Sequence, residues 1–335
     1  MTGTAVKNPV MSAFSLGKIK GLVKREYLDH KTGFFLVPLV IGGLFALMST
    51  ISLLMGRFNL ARMSVDDDIT LGLGDHGLEM LVDIASGTLG DSLEPILGSL
   101  MLAASVPVLM ITPFVIVFGL LSCLFDDRKD RSYLFWKSMP VSDSMEVMTK
   151  FVTMVFLGPL VILGIATLLQ WFILVTAAIA LGVQTPLPVG TILMSAPYLS
   201  LPISVYLQYV AYILMVLPLL AWLLLVSSWA PKAPLLFAAV PPVAVGVFEA
   251  LLFNTHYFAN WIANRVEMRI EKPGLRTIHD ESGRITSLST EFDLTSIPAA
   301  LGNLGETLVS ADFLVGAVIA VALFAGAIWQ RRYNV

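Results

Sequence analysis

Between Phe151 and Pro231 the chain reads FVTMVFLGPLVILGIATLLQWFILVTAAIALGVQTPLPVGTILMSAPYLSLPISVYLQYVAYILMVLPLLAWLLLVSSWAP, 81 residues without one Asp, Glu, Lys or Arg. A bilayer core about 30 Å thick takes about 20 helical residues, so this stretch is too long for one crossing. Its middle, from Gly182 to Pro202, holds Pro186, Pro188, Pro197 and Pro202 among polar residues. Proline removes a backbone donor and ends helices. The stretch therefore divides into two spans, about 151–181 and 204–228, joined by a short uncharged loop.

Four more spans follow from the same rule. Charge-free runs place them at about 33–56, 98–122, 233–254 and 312–330, the last ended by Arg331-Arg332. Pro241-Pro242 falls inside the fifth and is expected to kink or break it. The runs are continuous rather than alternating, which excludes a membrane β-barrel. The expected fold is an all-α polytopic membrane protein with six transmembrane helices. Composition agrees: of 335 residues 56% are hydrophobic and 13% charged, and mean hydropathy is +0.82, too few charges to cover a soluble fold. A net charge of −3 argues against nucleic acid as a partner. The lone Cys123 excludes an intrachain disulfide framework and any cysteine-based metal cluster.

Basic residues set the orientation. Fourteen of the 21 fall on the side that carries both termini, with Lys7, Lys18, Lys20, Lys24, Arg25 and Lys31 before the first span. The first opposite loop, 57–97, carries eight acids against Arg57 and Arg62. Both termini are thus expected in the cytoplasm. No cleavable leader is visible ahead of the first span, which would serve as an uncleaved anchor.

Outside the lipid, residues 12–31 alternate Phe14, Leu16, Ile19, Leu22, Val23 and Tyr27 with lysines and Arg25 at helical spacing. This suits an amphipathic helix on the membrane surface, or simply a basic flank. The loop 126–143 opens with Asp126, Asp127, Arg128, Lys129, Asp130 and Arg131. Tyr133, Phe135, Trp136 and Lys137 follow, and Pro140 then forces a turn. Asp143 and Glu146 resemble a capping box opening a helix into the third span. Such a loop fits docking into a partner, or aromatics resting at the headgroups. On the far side, loops 57–97 and 255–311 are expected to form a small extracytoplasmic cap. There Phe258, Trp261, Ile262, Val266 and Ile270 share one helical face, and residues 276–288 suit a small hairpin.

Catalytic and nucleotide motifs are missing. The only Gly-Lys pair, Gly17-Lys18, lacks the rest of a phosphate-binding loop, and His30, His76, His256 and His279 are scattered. The ionisable residue inside a span is Glu249, some 24 Å along the fifth helix at 1.5 Å per residue. An intramembrane acid is a pathway candidate; near the outer interface it also suits a structural hydrogen bond.

Taken in order, the chain resembles a permease subunit of the ABC-2 type of ABC transporters, the bacterial exporter class. The resemblance lies in Lys24-Arg25-Glu26-Tyr27 leading through Lys31-Thr32-Gly33-Phe34-Phe35 to Pro38, and in Arg128-Lys129-Asp130-Arg131-Ser132 followed by Leu134-Phe135-Trp136-Lys137-Ser138-Met139-Pro140-Val141-Ser142-Asp143. The plan of six helices with a larger outer segment before the last also matches, while the long acidic first outer loop departs from the family. The resemblance implies that residues 1–335 form a single transmembrane domain with 12–31 as interface helix and 126–143 as coupling loop. It implies a second permease copy or paralogue, a homodimer by preference, with the second and fifth helices lining the dimer interface and pathway. It further implies a cytoplasmic ATP-binding subunit that binds ATP and Mg, no cofactor or enzyme activity on this chain, and a place in the bacterial cytoplasmic membrane. A hydrophobic or amphipathic cargo suits the uncharged pathway. The alternative, a secondary transporter or channel not coupled to ATP, would require charge near mid-membrane and repeated halves, neither of which the sequence offers.

Overall fold

A computed structural model describes residues 16–54, 93–130, 142–184, 188–266, 275–279, 285–290 and 296–333. Six helical stretches are long and apolar enough to cross a membrane: Thr32–Ile51, Leu97–Lys129, Asp143–Val183, Val189–Trp229, Pro234–Phe253 and Ala311–Tyr333. The chain is an all-α polytopic membrane protein, as the charge-free runs required.

Helix α1 (Leu16–Asp29) leads through a π turn, Thr32–Leu36, into α2 (Val37–Leu54), the first span. The second span is α3 (Leu93–Leu109) and α4 (Ile111–Cys123), followed by the short α5 (Phe125–Lys129). Helix α6 (Asp143–Val152) passes through a second π turn, Thr153–Leu157, into α7 (Gly158–Gln184). Within the proline-rich middle of the uncharged stretch, expected as a loop, Val189–Ser195 folds as a helix of about two turns, α8, before α9 (Ser200–Trp229). Helix α10 (Pro234–Phe253) is the fifth span and α13 (Ala311–Tyr333) the sixth. Between them lie α11 (Tyr257–Val266), the hairpin β1 (Leu275–His279)–β2 (Ile285–Thr290) and α12 (Ile297–Val309). The strands pair antiparallel, Leu275 opposite Thr290, with a bulge at Ile278–His279. Among the described residues the segment between the fifth and sixth spans thus holds two helices and a hairpin, and α12 packs along α9; residues 57–92 of the expected cap lie outside the described residues.

Among the described residues three apolar clusters hold the bundle, the smallest of them Leu121, Val226, Ala230 and Ala238, which seats α10 against α4 and α9. Leu97, Met101, Ala104 and Val108 of α3 interlock with Ile162, Leu169 and Ile173 of α7 and with Ile192 of α8. Nearer the basic end, Phe34, Leu120, Val147, Met154, Ile213, Leu224 and Ala327 join the two π turns to α4, α6, α9 and α13. Only Ala238 of α10 is buried. Its exposed Val240, Val243, Val247, Phe248 and Leu251 suit a lipid or a protein neighbour.

Of the kink or break expected at Pro241-Pro242, the break does not occur: the fifth helix runs on through both prolines. Pro242 withholds the N–H that an α-helix would bring to the Ala238 carbonyl. The Trp222 indole of α9 supplies it, Nε1 donating to Ala238 O at 3.0 Å. A neighbouring helix thereby satisfies the polar group the proline freed.

A second correction concerns α6. Its N-cap is Ser142, one residue earlier than the Asp143 box: Ser142 is extended (φ −77°, ψ 147°) and its hydroxyl accepts from Met145 N. Asp143 becomes the first helical residue, where its charge favours the helix dipole. Glu146 is released for a different partner.

Candidate functional site

The ends of four elements meet at the basic end of the bundle. Helices α1 and α6 pack side by side, and the last turns of α13 close against α6. On α6, Glu146 and Lys150 are four residues apart and share one helical face. That face is buried, with Met145, Val147, Thr149 and Phe151 around it.

Lys150 is the hub. Its Nζ donates to Glu26 Oε1 of α1 at 2.8 Å and lies 3.3 Å from Asp127 Oδ2 of α5. Arg331 of α13 reaches Glu146 Oε1 at 2.6 Å and Asp127 Oδ2 at 3.6 Å. Arg25 stands 3.8 Å from Asp127 Oδ1 and 3.8 Å from Glu26 Oε1, and its Nε lies 3.5 Å from the exposed Asp29. Apart from the exposed Asp29, three acids and three bases therefore balance among the described residues, and Lys150, Glu26 and Asp127 are only 3%, 3% and 7% exposed. Buried charge is tolerated when it is paired in this way, and removing one member leaves the others uncompensated.

The cluster unites residues that the sequence placed in separate motifs. Arg25 and Glu26 come from the interface-helix motif and Asp127 from the coupling loop. Tyr27 stacks on Phe34, centroids 6.2 Å apart, and Lys24 is exposed. Asp126, Lys129 and Asp130 are also exposed at the start of the loop. Arg131, Tyr133, Phe135, Trp136 and Lys137 lie outside the described residues.

Arg128 has a different task. Its Nη2 donates to Ser227 O and Ala230 O, both at 2.9 Å, and so caps the C-terminus of α9, where carbonyls lack intrahelical donors. Ser227 Oγ accepts from Leu124 N and Phe125 N at 3.1 Å and donates to Leu121 O. The bend between α4 and α5 is stapled to the end of α9 by these groups.

Glu249 is likewise engaged. Asn254 adopts a left-handed conformation (φ 50°) that ends α10 and turns the chain back. Glu249 then accepts from Thr255 Oγ1 at 3.0 Å, Tyr257 N at 2.7 Å and Phe258 N at 2.8 Å. It is the N-terminal cap of α11, satisfying amides that the helix itself cannot.

Sequence reasoning missed Glu146, Lys150, Arg331 and Arg265 as site residues. The signal for the first two was their four-residue spacing within an amphipathic helix. Arg265, at the far end of α11, is 3% exposed. It donates to Met215 O of α9 and Asp312 O of α13 and lies 4.4 Å from the Trp261 ring. Gly316 makes its room: a Cβ there would fall 2.5 Å from Arg265 Nη1. Glu249 and Arg265 thus fasten α11 at its two ends.

Inside the bundle Gln170 Nε2 donates to Ser105 Oγ at 3.1 Å, a side-chain pair that links the second and third spans. Among the described residues no three His, Cys, Asp or Glu groups stand close enough to hold a metal ion.

No family model, curated protein or solved structure matches the chain. The fold is a polytopic membrane bundle of the transport type, an architecture that many transporter classes share, so function has to be argued from the site.

Proposed function

We propose that the chain is the permease subunit of an ATP-driven exporter of the ABC-2 type, powered by a separate ATP-binding subunit in the cytoplasm. The observation that carries this reading is the buried ion cluster. It ties the beginning and end of the 126–143 loop, through Asp127, Glu146 and Lys150, to α1 and to the last span. A push on that loop is thereby delivered to three spans at once. A chain without a docking partner has little use for paired charges buried at one end of its bundle, where hydrophobic packing would be at least as stable.

ATP binding in the partner would close two ATP-binding subunits, displace the loop and open a path between two permease copies. The work comes from ATP's different affinity for the two states. The bare apolar flank of α10 suits a second copy, and an uncharged path suits a hydrophobic or amphipathic cargo moved out across the bacterial cytoplasmic membrane. ATP and Mg sit on the partner, and this chain performs no chemistry of its own.

The test is reconstitution. The purified chain hydrolyses no ATP, co-purifies with a co-expressed ATP-binding subunit and stimulates its ATPase. Trp136→Ala combined with Arg131→Ala lowers that stimulation while the permease keeps its unfolding temperature. Undiminished stimulation in the double variant, or ion-gradient-driven uptake without ATP, overturns the reading.

A further inference from the structure

The two π turns carry one seven-residue pattern, identical at four positions. Thr32-Gly33-Phe34-Phe35-Leu36-Val37-Pro38 and Thr153-Met154-Val155-Phe156-Leu157-Gly158-Pro159 share Thr-x-x-Phe-Leu-x-Pro. Each Thr begins a π turn and each Pro stands two residues beyond its end. The cause is in the proline. An α-helix would bring the N–H of residue 38 to Phe34 O and that of residue 159 to Val155 O, and proline has none. In both places the ladder has shifted to a five-residue step, Val37 N–H to Thr32 O and Gly158 N–H to Thr153 O. The Tyr209 hydroxyl of α9 donates to Val155 O in place of the missing amide. Fewer than about 1% of residues lie in π-helix, so two such turns built on one motif are not a chance pairing.

The turns also face each other. The Phe34 ring, fully buried, rests on the backbone at Gly158, where a Cβ would fall 2.2 Å from it. The first turn packs on α7 and the second on α1. Met154 fits against Gly119 of α4, where a Cβ would meet its sulfur at 2.7 Å. Just below the turns, Glu26 and Lys150 bind α1 to α6. Below that pair, Arg331–Glu146 binds α6 to the end of α13, which runs as one helix without a π turn.

We propose that the two Thr-x-x-Phe-Leu-x-Pro turns form a double hinge on which α1 and α6 tilt together against the spans, with the Arg331–Glu146 pair and the Asp127 contacts to Lys150 and Arg25 as the latch that holds them upright. A hinge needs a place where the helical ladder is already interrupted, and both turns provide one at the same level. It also needs a contact near its axis that survives the motion, which Phe34 on Gly158 supplies. Each helix is a rigid lever, and Lys150–Glu26 makes the two levers one body. From Gly17 to Thr32 the lever is about 22 Å long at 1.5 Å per residue, so a tilt of about 15° moves its tip roughly 6 Å.

The hinge belongs to the chain itself, so it is tested without any partner, and its failure leaves the export reading untouched. Spin labels at Gly17→Cys on α1 and Gly164→Cys on α7 report the tilt. Both glycines have open space at the Cβ position, and native Cys123 is buried. The labelled chain is placed in lipid nanodiscs, diluted with unlabelled chain, and its distance distribution is measured by pulsed dipolar spectroscopy. Glu146→Gln, Arg331→Gln and Asp127→Asn together open the latch and are expected to add a population displaced by about 5 Å or to broaden the distribution comparably. Adding Pro38→Ala and Pro159→Ala, which return both missing N–H groups, removes at least half of that change. An unchanged distribution in the unlatched chain, or equal broadening with and without the prolines, overturns the hinge. Amide exchange on the unaltered chain serves where a variant does not fold. Residues 33–37 and 154–158 are expected to exchange at least tenfold faster than the helical turns on either side of them, and equal protection overturns the proposal.

Discussion

Lys150→Met is the sharpest perturbation of the ion cluster. Methionine keeps the apolar stem and removes the charge from a site that is 3% exposed. Glu26 loses its 2.8 Å partner and Asp127 a cation at 3.3 Å, while Arg25 remains at 3.8 Å from each. At an effective dielectric constant of about 20, a pair of unit charges near 3 Å interacts by roughly 6 kcal/mol. Part of this offsets the desolvation of the ammonium group, and breaking a buried pair by deleting one partner costs about 3–5 kcal/mol. A loss of about 4 kcal/mol is expected, read as a lowered midpoint of SDS-driven unfolding in mixed micelles. The control is Glu26→Gln in the same background. Once Lys150 is gone the Glu26 charge is a burden, so the double variant recovers about 2 kcal/mol relative to the sum of the single losses, within the range of coupling for contacting groups. A single-variant loss below about 1 kcal/mol, or strict additivity, would refute the claim that the cluster acts as a unit.

Three further outcomes follow from the helix contacts. Trp222→Phe keeps the ring but leaves the Ala238 carbonyl without the donor that Pro242 withheld; a destabilisation of about 1–3 kcal/mol is expected, and Pro242→Ala in the same chain restores most of it. Gly316→Ala drives a Cβ to 2.5 Å from Arg265 Nη1, an overpacking that costs about 1–3 kcal/mol and is measured by the same unfolding titration. Glu249→Gln gives up a carboxylate that accepts three hydrogen bonds. Exchange of the Tyr257 and Phe258 amides is expected to rise several-fold while transport continues, and a collapse of transport with those amides still protected would return Glu249 to the pathway.

Most of the fold was legible because lipid imposes one demand everywhere. Twenty apolar residues without charge can only cross or be buried, and all six spans appear; the fifth and sixth match their expected bounds within three residues, while the third begins at Asp143 rather than about 151 and the fourth at Val189 rather than about 204. Detail failed where a neighbour alters a local rule. Pro241-Pro242 reads as a break until Trp222 is known to face Ala238. Asp143 reads as a cap until Ser142 takes that role. The site was legible in pieces: Arg25, Glu26 and Asp127 were singled out in two separate motifs, but their partner Lys150 was read for orientation alone and Arg331 as the end of a span. One-dimensional spacing shows that Glu146 and Lys150 share a face. It does not show which carboxylate from 124 residues away arrives at that face.

The placement of charge then bears on orientation itself. Of the basic residues that mark one side, Arg25, Lys150 and Arg331 are committed to buried carboxylates and Arg128 to the carbonyls of α9. Lys20, Lys24, Lys31, Lys129, Lys232 and Arg332 remain exposed on that side, free to meet headgroups. The basic excess therefore serves two ends, and they separate by burial. Exposed lysines hold the bundle's orientation through the surface potential, a term that salt screens within about 10 Å. The buried set is little screened. If the cluster were only part of the topological signal, raising salt would loosen α1 from α6. Because it is a packed six-member unit, α1 is expected to stay bound to α6 at 1 M salt while lipid-headgroup contacts weaken, and a cross-link between the exposed α1 and α6 faces that fades with salt would show the opposite.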